Sequence, residues 1–439
     1  MSKHSFQGLR GMRDILPVDT PRWQAAEDPV RDTFEGYGFE ELRLPLLEDT
    51  RLFKRGVGEA TDIVEKEMFS FPARDDGEKS PASGREQSSL TLRPEGTASC
   101  VRALQQHGLL YNQVQRVWYR GPMFRYERPQ KGRYRQFEQI GAEVFGVPGP
   151  AVEAELIAMT ADAFARLGVL DQVELQLNTL GSGSARVAYR EALIDYLQPF
   201  AAELDPDSQR RLATNPLRIL DSKSETTQKI IQNAPQLPDF VDDEAKGHFS
   251  ELQELLSQLG IAYQLNSGLV RGLDYYTHTV FEWVTSELGA QGTVCAGGRY
   301  DGLVELLGGK PTPGAGFAMG VDRLVLLHEA VHQGDEAAFP AADVYVVVAQ
   351  PELTGQALAL ARQLRMQLPG VRIRSHISGG KLKAQMKKAD ASGAGFALIL
   401  GSDELASQTV TCKALRDESG PGQTTIALGE LAEHLRARL

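Results

Sequence analysis

The chain has 439 residues, 42% hydrophobic and 24% charged, the profile of an ordinary globular protein of two or three domains. Its three cysteines, Cys100, Cys295 and Cys412, lie far apart with no Cys-x-x-Cys pair, which argues against a disulfide framework or a cysteine zinc site and predicts buried free thiols. The formal net charge of −11 is unlike that of a protein gripping nucleic acid non-specifically, so any such contact has to come from local basic patches. No apolar run is long enough for a membrane span, and Met1 to Phe6 carries no apolar signal core, so the expected compartment is the cytoplasm.

In chain order, Pro29 to Tyr37 reads as part of a helix leading into a strand over Phe39 to Leu44. Pro72 to Ser89, rich in Asp, Gly, Ser and Pro, reads as an exposed loop. Gln115 to Glu127 and Arg135 to Phe145 form a hairpin joined by the basic segment Arg128 to Tyr134. From about Gly183 to Gly260 the pattern turns helical, with Leu at helical spacing in Phe249 to Leu259. Strand-like residues return at Leu269 to Val284, then a glycine-rich stretch, Gly289 to Gly320, feeds a helix over Gly320 to His332. Gly334 to Ala342 is a linker. Beyond it strands (Asp343 to Ala349, Val371 to His376, Phe396 to Gly401) alternate with helices (Leu353 to Gln367, Leu382 to Ser392), followed by two strand-like segments and a last helix: a separate small α/β domain.

Residues two apart in a strand share a face. One hairpin face therefore offers Arg125, Glu127, Arg135, Phe137, Gln139 and Glu143. Unpaired charges are costly in a core, so this is either the floor of a site for a zwitterion and a nucleotide or a solvated edge. In Thr91 to Thr97, Glu95 and Thr97 flank a glycine turn that can hold an ammonium group, or Thr97 simply starts the next helix. Leu269 to Thr277 carries Arg271 with the paired Tyr275 and Tyr276, which suit a polar ring or plain packing. Gly297 to Gly302 and Gly314 to Arg323 fit neither a dinucleotide-binding turn nor a phosphate-binding P-loop, and the glycines instead suit close approach of backbone to a ligand, with Arg323 at a helix start facing it. His328 to His332 matches His-Glu-x-x-His, but no third zinc ligand follows at a suitable distance, and an amphipathic helix end is the better reading.

Together, Phe124 to Glu127 with Arg128 to Arg135 and Phe137 to Gln139, and Gly314 to Leu327, resemble motifs 2 and 3 of the class II aminoacyl-tRNA synthetases. Leu269 to Tyr276, Ala296 to Gly302 and the opening Gly8 to Asp14 resemble signatures of the histidine-specific family within that class, and the likeness runs over essentially the whole chain. The resemblance implies an α+β catalytic domain on an antiparallel sheet (residues 1–335), a helical insertion (183–262) that clasps the acceptor stem, and a C-terminal α/β anticodon-binding domain (342–439). It implies histidine, ATP with Mg2+, and the histidine tRNA as substrates, a homodimer, and no permanent cofactor. Arg125 is expected at the α-phosphate, Arg323 at the γ-phosphate, Phe137 on the adenine, Glu127 at ATP or the magnesium ion, and Arg271 where charge builds up between α-phosphate and substrate carboxylate. Glu95, Thr97 and Gln139 are expected at the histidine ammonium and carboxylate, Tyr275, Tyr276 and Glu143 around its imidazole, and Gln130 and Arg135 at the tRNA acceptor end. Lys381, Lys383, Lys387 and Lys388 form either an anticodon patch or a solvated helix face. The rivals are a synthetase-like regulatory subunit of histidine biosynthesis, which usually lacks the anticodon domain, and a non-enzymatic tRNA-binding protein, which would not require the arginine set.

Overall fold

A computed structural model describes residues 6–59, 61–73, 89–220, 222, 224–235, 237–289, 292–332, 340–416 and 422–439. The chain divides into two compact units, Met1–Gln333 and Gly334–Leu439.

The first unit opens with α1 (Thr20–Gly36), β1 (Glu40–Glu41), β2 (Leu47–Asp49), α2 (Thr50–Val57), β3 (Phe69–Pro72), β4 (Ser89–Leu92) and α3 (Thr97–Gln106). Then come the long hairpin β5 (Gln115–Phe124) and β6 (Gln136–Phe145), α4 (Ala151–Arg166) and β7 (Glu174–Thr179). The helices α5 (Gly183–Leu197), α6 (Pro206–Thr214), α7 (Glu225–Ile231) and α8 (Asp243–Gln258) intervene before β8 (Gln264–Leu265) and β9 (Thr277–Val284). The unit closes with β10 (Thr293–Arg299), α9 (Leu303–Leu306), β11 (Gly314–Gly320) and α10 (Val321–Val331).

Eight strands form one sheet in the order β1-β5-β6-β11-β10-β9-β7-β8. Its six inner strands pair antiparallel, but β1 pairs parallel with β5 and β8 parallel with β7, so the sheet is mixed rather than purely antiparallel. The two exceptions are two-residue strands at opposite edges, each delivered by a long connection that can run in either direction.

Side-chain alternation splits this sheet into two unlike faces. On one, Trp118, Ile140, Ala142, Val144, Ala315, Phe317 and Met319 pack into a single core with Trp23, Val30 and Phe34 of α1, Ile157 and Phe164 of α4, and Leu324 and Leu327 of α10. The helix α1 earns its place by burying Trp23, Ala26, Val30 and Phe34 at helical spacing. It begins well before the predicted Pro29, which lies inside it, and the Thr33 hydroxyl donates to the Pro29 carbonyl at 2.7 Å. On the opposite face, β11 presents only Gly314, Gly316, Ala318 and Gly320.

Three expectations need correction. The strand predicted over Phe39 to Leu44 shrinks to Glu40–Glu41. Leu269 to Tyr276 is irregular backbone, and the strand begins only at Thr277, because the segment instead closes on α2 through Asp274 N–H donating to the Val57 carbonyl at 3.0 Å. The glycine-rich stretch hides two inner strands, β10 and β11. Most of the Pro72 to Ser89 loop lies outside the described residues, while the segments at its ends pair as β3 and β4. All three cysteines are free and buried. No helix among the described residues is long and apolar enough to cross a membrane.

The second unit runs β12 (Val344–Val348), α11 (Thr354–Gln367), β13 (Ile373–Ser375), α12 (Leu382–Ala391), β14 (Phe396–Leu400), α13 (Ser402–Ala406), β15 (Thr409–Ala414), β16 (Gln423–Ala427) and α14 (Leu431–Arg436). Its five strands are ordered β13-β12-β14-β15-β16, parallel across the first three and antiparallel beyond.

A buried ion pair ties the helices to the large sheet. Arg299 of β10 donates through Nε to Glu153 Oε1 of α4 at 2.9 Å, and His248 Nε2 of α8 lies 2.6 Å from the same oxygen. Burial alone would raise the Glu153 pKa, but the Arg299 and His248 contacts outweigh it and hold the group near 2. Glu153 therefore adds stability above its ordinary 4.5, and this is lost as pH falls toward about 2. Arg299→Met strands that carboxylate and is expected to cost ~3–5 kcal/mol at neutral pH, read as a shifted denaturant midpoint. An unchanged midpoint would contradict this view of the pair.

Candidate functional site

The face of small residues opens onto a cavity of about 290 Å3. Its walls bring together ten of the residues singled out from sequence: Glu95, Thr97, Arg125, Glu127, Phe137, Gln139, Arg271, Tyr275, Tyr276 and Arg323. They come from five places in the chain, with β6 paired to both β5 and β11 and the Leu269 to Tyr276 segment completing the lining.

Glu95 does two jobs. Its oxygens accept from the backbone N–H groups of Thr97 at 2.7 Å and Ala98 at 3.0 Å, capping α3, and its side chain also lines the cavity. Burial raises its pKa, against the pull of those N–H bonds. The Thr91 to Thr97 segment is thus both a helix start and a site wall, so the two readings of it are not exclusive.

Arg125 donates through Nε to the Pro94 carbonyl at 2.9 Å, and its guanidinium carbon lies 5.4 Å from the Phe137 ring centre. Arg323 donates to the Gly132 carbonyl at 3.1 Å and the Thr293 carbonyl at 2.5 Å. Burial lowers the Arg323 pKa, and the nearby Arg133 and Arg125 lower it further. Like charges gathered in a half-buried wall make a strong anion site. Arg271 is ion-paired with Glu282, which also accepts from the Thr293 hydroxyl at 2.9 Å. Two polar atoms here, Gln139 Oε1 and Arg271 Nε, are buried without a hydrogen-bond partner. Such atoms are costly to leave unmet, and both belong to residues that line the cavity.

Glu143 is not among the lining residues. It is fully buried behind the wall, with Oε1 accepting from the Thr97 hydroxyl at 2.7 Å and the Tyr119 hydroxyl at 3.1 Å, and Oε2 bonded to the Tyr300 hydroxyl. Burial raises its pKa to about 8, despite the three hydroxyls. Arg135 also departs from the expected hairpin face. The strand ends at Phe124, and beyond it Arg135 turns away to stack on Tyr126, 3.8 Å from the ring centre, with Nε donating to the Glu127 carbonyl at 3.1 Å. Gln130 is exposed at the tip of a tight turn closed by Gln130 N–H to the Arg133 carbonyl at 3.0 Å.

Sequence reading passed over Tyr119, Arg133 and Glu282. Tyr119 and Glu282 carry a detectable signal, since each polar group alternates with a bulky neighbour in an inner strand, Trp118 for the first and Phe281 and Trp283 for the second. Arg133, which is ion-paired with Glu127, lay inside the basic segment without a distinguishing feature. Elsewhere, the His328 and His332 rings stack 4.2 Å apart, with His332 Nδ1 2.9 Å from the His328 carbonyl. Lys381, Lys383, Lys387 and Lys388 lie exposed on or beside α12, opposite the buried Gln385 and Ala389.

The Glu143 carboxyl sets a pH signature. Its folded pKa lies above its ordinary 4.5, so the folded chain holds a proton that the unfolded chain releases; stability is full below 4.5 and falls as pH rises to about 8. Glu143→Gln removes this titration, and the fall of melting temperature across that window is expected to flatten. An equally steep profile in the variant would refute the assignment.

A family model described as histidyl-tRNA synthetase matches residues 11–324, and one described as an anticodon binding domain matches residues 343–438. Among solved structures, an apo histidyl-tRNA synthetase of S. aureus is 34% identical, with 98% of this chain and 100% of that one covered and a TM-score of 0.79. A Nostoc sp. histidyl-tRNA synthetase matches at 21% identity over 99% and 100% of the two chains, with a TM-score of 0.68. A Bacillus halodurans protein described as an ATP phosphoribosyltransferase regulatory subunit/histidyl-tRNA synthetase matches at 22% over 92% and 100%, with a TM-score of 0.63. These last two likenesses speak to the fold alone. With two family models and a near full-length relative in agreement, this chain belongs to the histidyl-tRNA synthetase family, a class II histidine–tRNA ligase that charges the histidine tRNA at the expense of ATP.

Proposed function

We propose that the cavity over β11 is where histidine and ATP react, with ATP along the wall of Arg125, Phe137 and Arg323 and histidine along that of Glu95, Thr97 and Gln139. The carrying observation is the convergence of Arg125, Arg271 and Arg323 on one cavity that also holds unpartnered polar atoms. In this reading the histidine carboxylate attacks the α-phosphorus in line, the bond to pyrophosphate breaks, and histidyl-adenylate forms. Little proton transfer is needed, so the residues act by holding geometry and countering charge.

Arg125 then meets the α-phosphate and Arg323 the γ-phosphate, while Phe137, already beside the Arg125 guanidinium, stacks the adenine. Arg271 stands where charge accumulates, and Glu282 holds it until substrates arrive. Magnesium would enter with ATP. Glu127 is the candidate protein ligand, since its carboxylate is on the wall and its Arg133 partner is exposed enough to move.

For the amino acid, Glu95, Thr97 and Gln139 hold the ammonium and carboxylate, and Tyr275 and Tyr276 wall the imidazole. Tyr276 serves one ring nitrogen. Glu143 serves the other, which requires the Thr97 or Tyr119 hydroxyl in front of it to yield or relay. A site built on such bonds rejects analogues lacking the ring nitrogens by about 10⁴ or more, so no editing domain is needed.

The acceptor end of the tRNA would meet the exposed loop through Gln130 and Arg135, with the helices of residues 183–262 clasping the stem and the lysines of α12 facing the anticodon. The enzyme would act as a cytoplasmic homodimer, and the exposed apolar side chains Phe6, Leu9, Leu16 and Val18 near the N-terminus fit burial against a second copy. The match of residues 343–438 to an anticodon-binding domain supports the enzyme over a regulatory subunit.

Histidine-dependent ATP–pyrophosphate exchange tests the reading. Exchange with histidine and none with other amino acids is expected; none at all from folded protein would overturn it. Arg271→Ala should slow single-turnover adenylate formation by roughly 10²–10³, the scale for losing one preorganised charged donor, while barely weakening histidine binding. An unchanged rate would remove Arg271 from that role.

A further inference from the structure

The N-terminal segment does more than lead into α1. Gly11 takes a left-handed backbone at φ 84°, and its carbonyl accepts from the N–H groups of Arg135 at 2.7 Å and Gln136 at 3.2 Å, where the basic loop rejoins β6. A side chain at Gly11 would run into the Pro129 and Arg135 side chains, so the segment lies directly on that loop. Two residues on, Arg13 crosses to a second element. It donates through Nη2 to Asp322 Oδ1 at 2.8 Å and through Nη1 to the Tyr134 hydroxyl at 3.3 Å, with its guanidinium carbon 4.3 Å from the Tyr134 ring centre.

Both partners bear on one side of the cavity. Asp322 is 4% exposed in the first turn of α10, and its other oxygen accepts from the Glu138 N–H at 2.9 Å. The next residue is Arg323, which in turn donates to the Gly132 carbonyl of the loop. Gly132, Arg133 and Tyr134 line the cavity. Arg13 is therefore the cross-brace between the loop and the start of α10. Among the described residues its hydrogen bonds and ring contacts go to Asp322, Tyr134 and Trp23, and none goes to Glu95, Thr97, Tyr275 or Tyr276.

We propose that Arg13 is a positioning residue for the nucleotide, holding Arg323 and the Gly132 to Tyr134 loop in the arrangement that receives ATP. It touches no substrate itself. Replacing it frees the loop and leaves Asp322, almost fully buried beside the Glu138 carboxyl, without its cation. Burial and then the Asp322 charge already raise the Glu138 pKa to about 7, which shows how little spare compensation the spot has.

The inference rests on the site assignment above and extends it to a residue outside the cavity. Its test is the split between the two substrates. Arg13→Ala should raise the KM for ATP in pyrophosphate exchange, and the calorimetric Kd for ATP, by about tenfold, the scale of one charge-assisted hydrogen bond. The KM and Kd for histidine should stay within about twofold. Arg13→Lys, which keeps a cation for Asp322, should recover part of the loss. Arg13→Ala and Tyr134→Ala together should cost less than the product of their separate effects. Equal changes for both substrates, no change for either, or full additivity with Tyr134→Ala would overturn the proposal. If Arg13→Ala melts below the assay temperature, Arg13→Gln, measured at the same two KM values, decides in the same way. Failure of the wild-type protein to exchange would count against the activation site, while the ATP titrations would still decide the role of Arg13.

Discussion

Side-chain alternation in β5, β6 and β11 is the constraint from which the rest follows. On one face Trp118, Ile140, Val144, Phe317 and Met319 pack into a core shared with α1, α4, α8 and α10. On the other face β5 and β6 bury Val117, Tyr119, Met123 and Phe145 in a second core, whereas β11 is almost bare with Gly314, Gly316, Ala318 and Gly320. The same economy appears at Gly96 and Gly141, where any Cβ would strike the Tyr119 ring lying between them. Tyr119 can occupy that space only because both neighbours lack side chains, and from there its hydroxyl reaches Glu143. A cavity bounded by inner strands of a packed sheet is held rigidly, which suits a reaction that depends on geometry.

The charges divide into two kinds. Arg299 is buried against Glu153 and serves the fold. Arg125 and Arg323 donate to backbone carbonyls, and burial lowers the pKa of each. That is an unfavourable state for the free protein and a favourable one for a polyphosphate. Glu143, behind the wall, and Glu95, on it, are pushed the other way by burial, toward the protonated form. The cavity thus has cations that burial disfavours beside carboxyls that burial holds toward the neutral form, and under the proposed reading a bound phosphate would favour the charged arginines and a bound ammonium the ionised Glu95.

Much of this was legible in the sequence because it follows from local rules. The hairpin, the helical insertion and the alternating C-terminal domain each carry their own periodicity, and ten of the motif residues line one cavity, while Gln130, Arg135 and Glu143 do not. What was not legible depends on pairing at a distance. The glycine-rich stretch reads as loop by propensity, yet Gly297 and Gly316 are inner-strand residues because the neighbouring strands leave no room for a side chain. Leu269 to Tyr276 reads as strand by its Leu, Val and Tyr content, yet tertiary contact with α2 holds it irregular. Glu143 obeys its strand parity but loses its place on the wall to the hydroxyls of Thr97 and Tyr119, which come from other elements. The turn of Arg135 onto Tyr126 likewise follows from the strand ending at Phe124.

The proposed activation site has the bare face of β11 as its floor. Ala318 lines that cavity without contributing to the aromatic core behind it. Ala318→Leu should therefore fill the site and leave the fold intact. The decisive measurement is histidine-dependent ATP–pyrophosphate exchange by this variant, alongside its melting temperature. Exchange reduced by two orders of magnitude or more, about 2.7 kcal/mol of lost transition-state stabilisation, with an unchanged melting temperature is the expected result. Undiminished exchange from the folded variant would contradict the account.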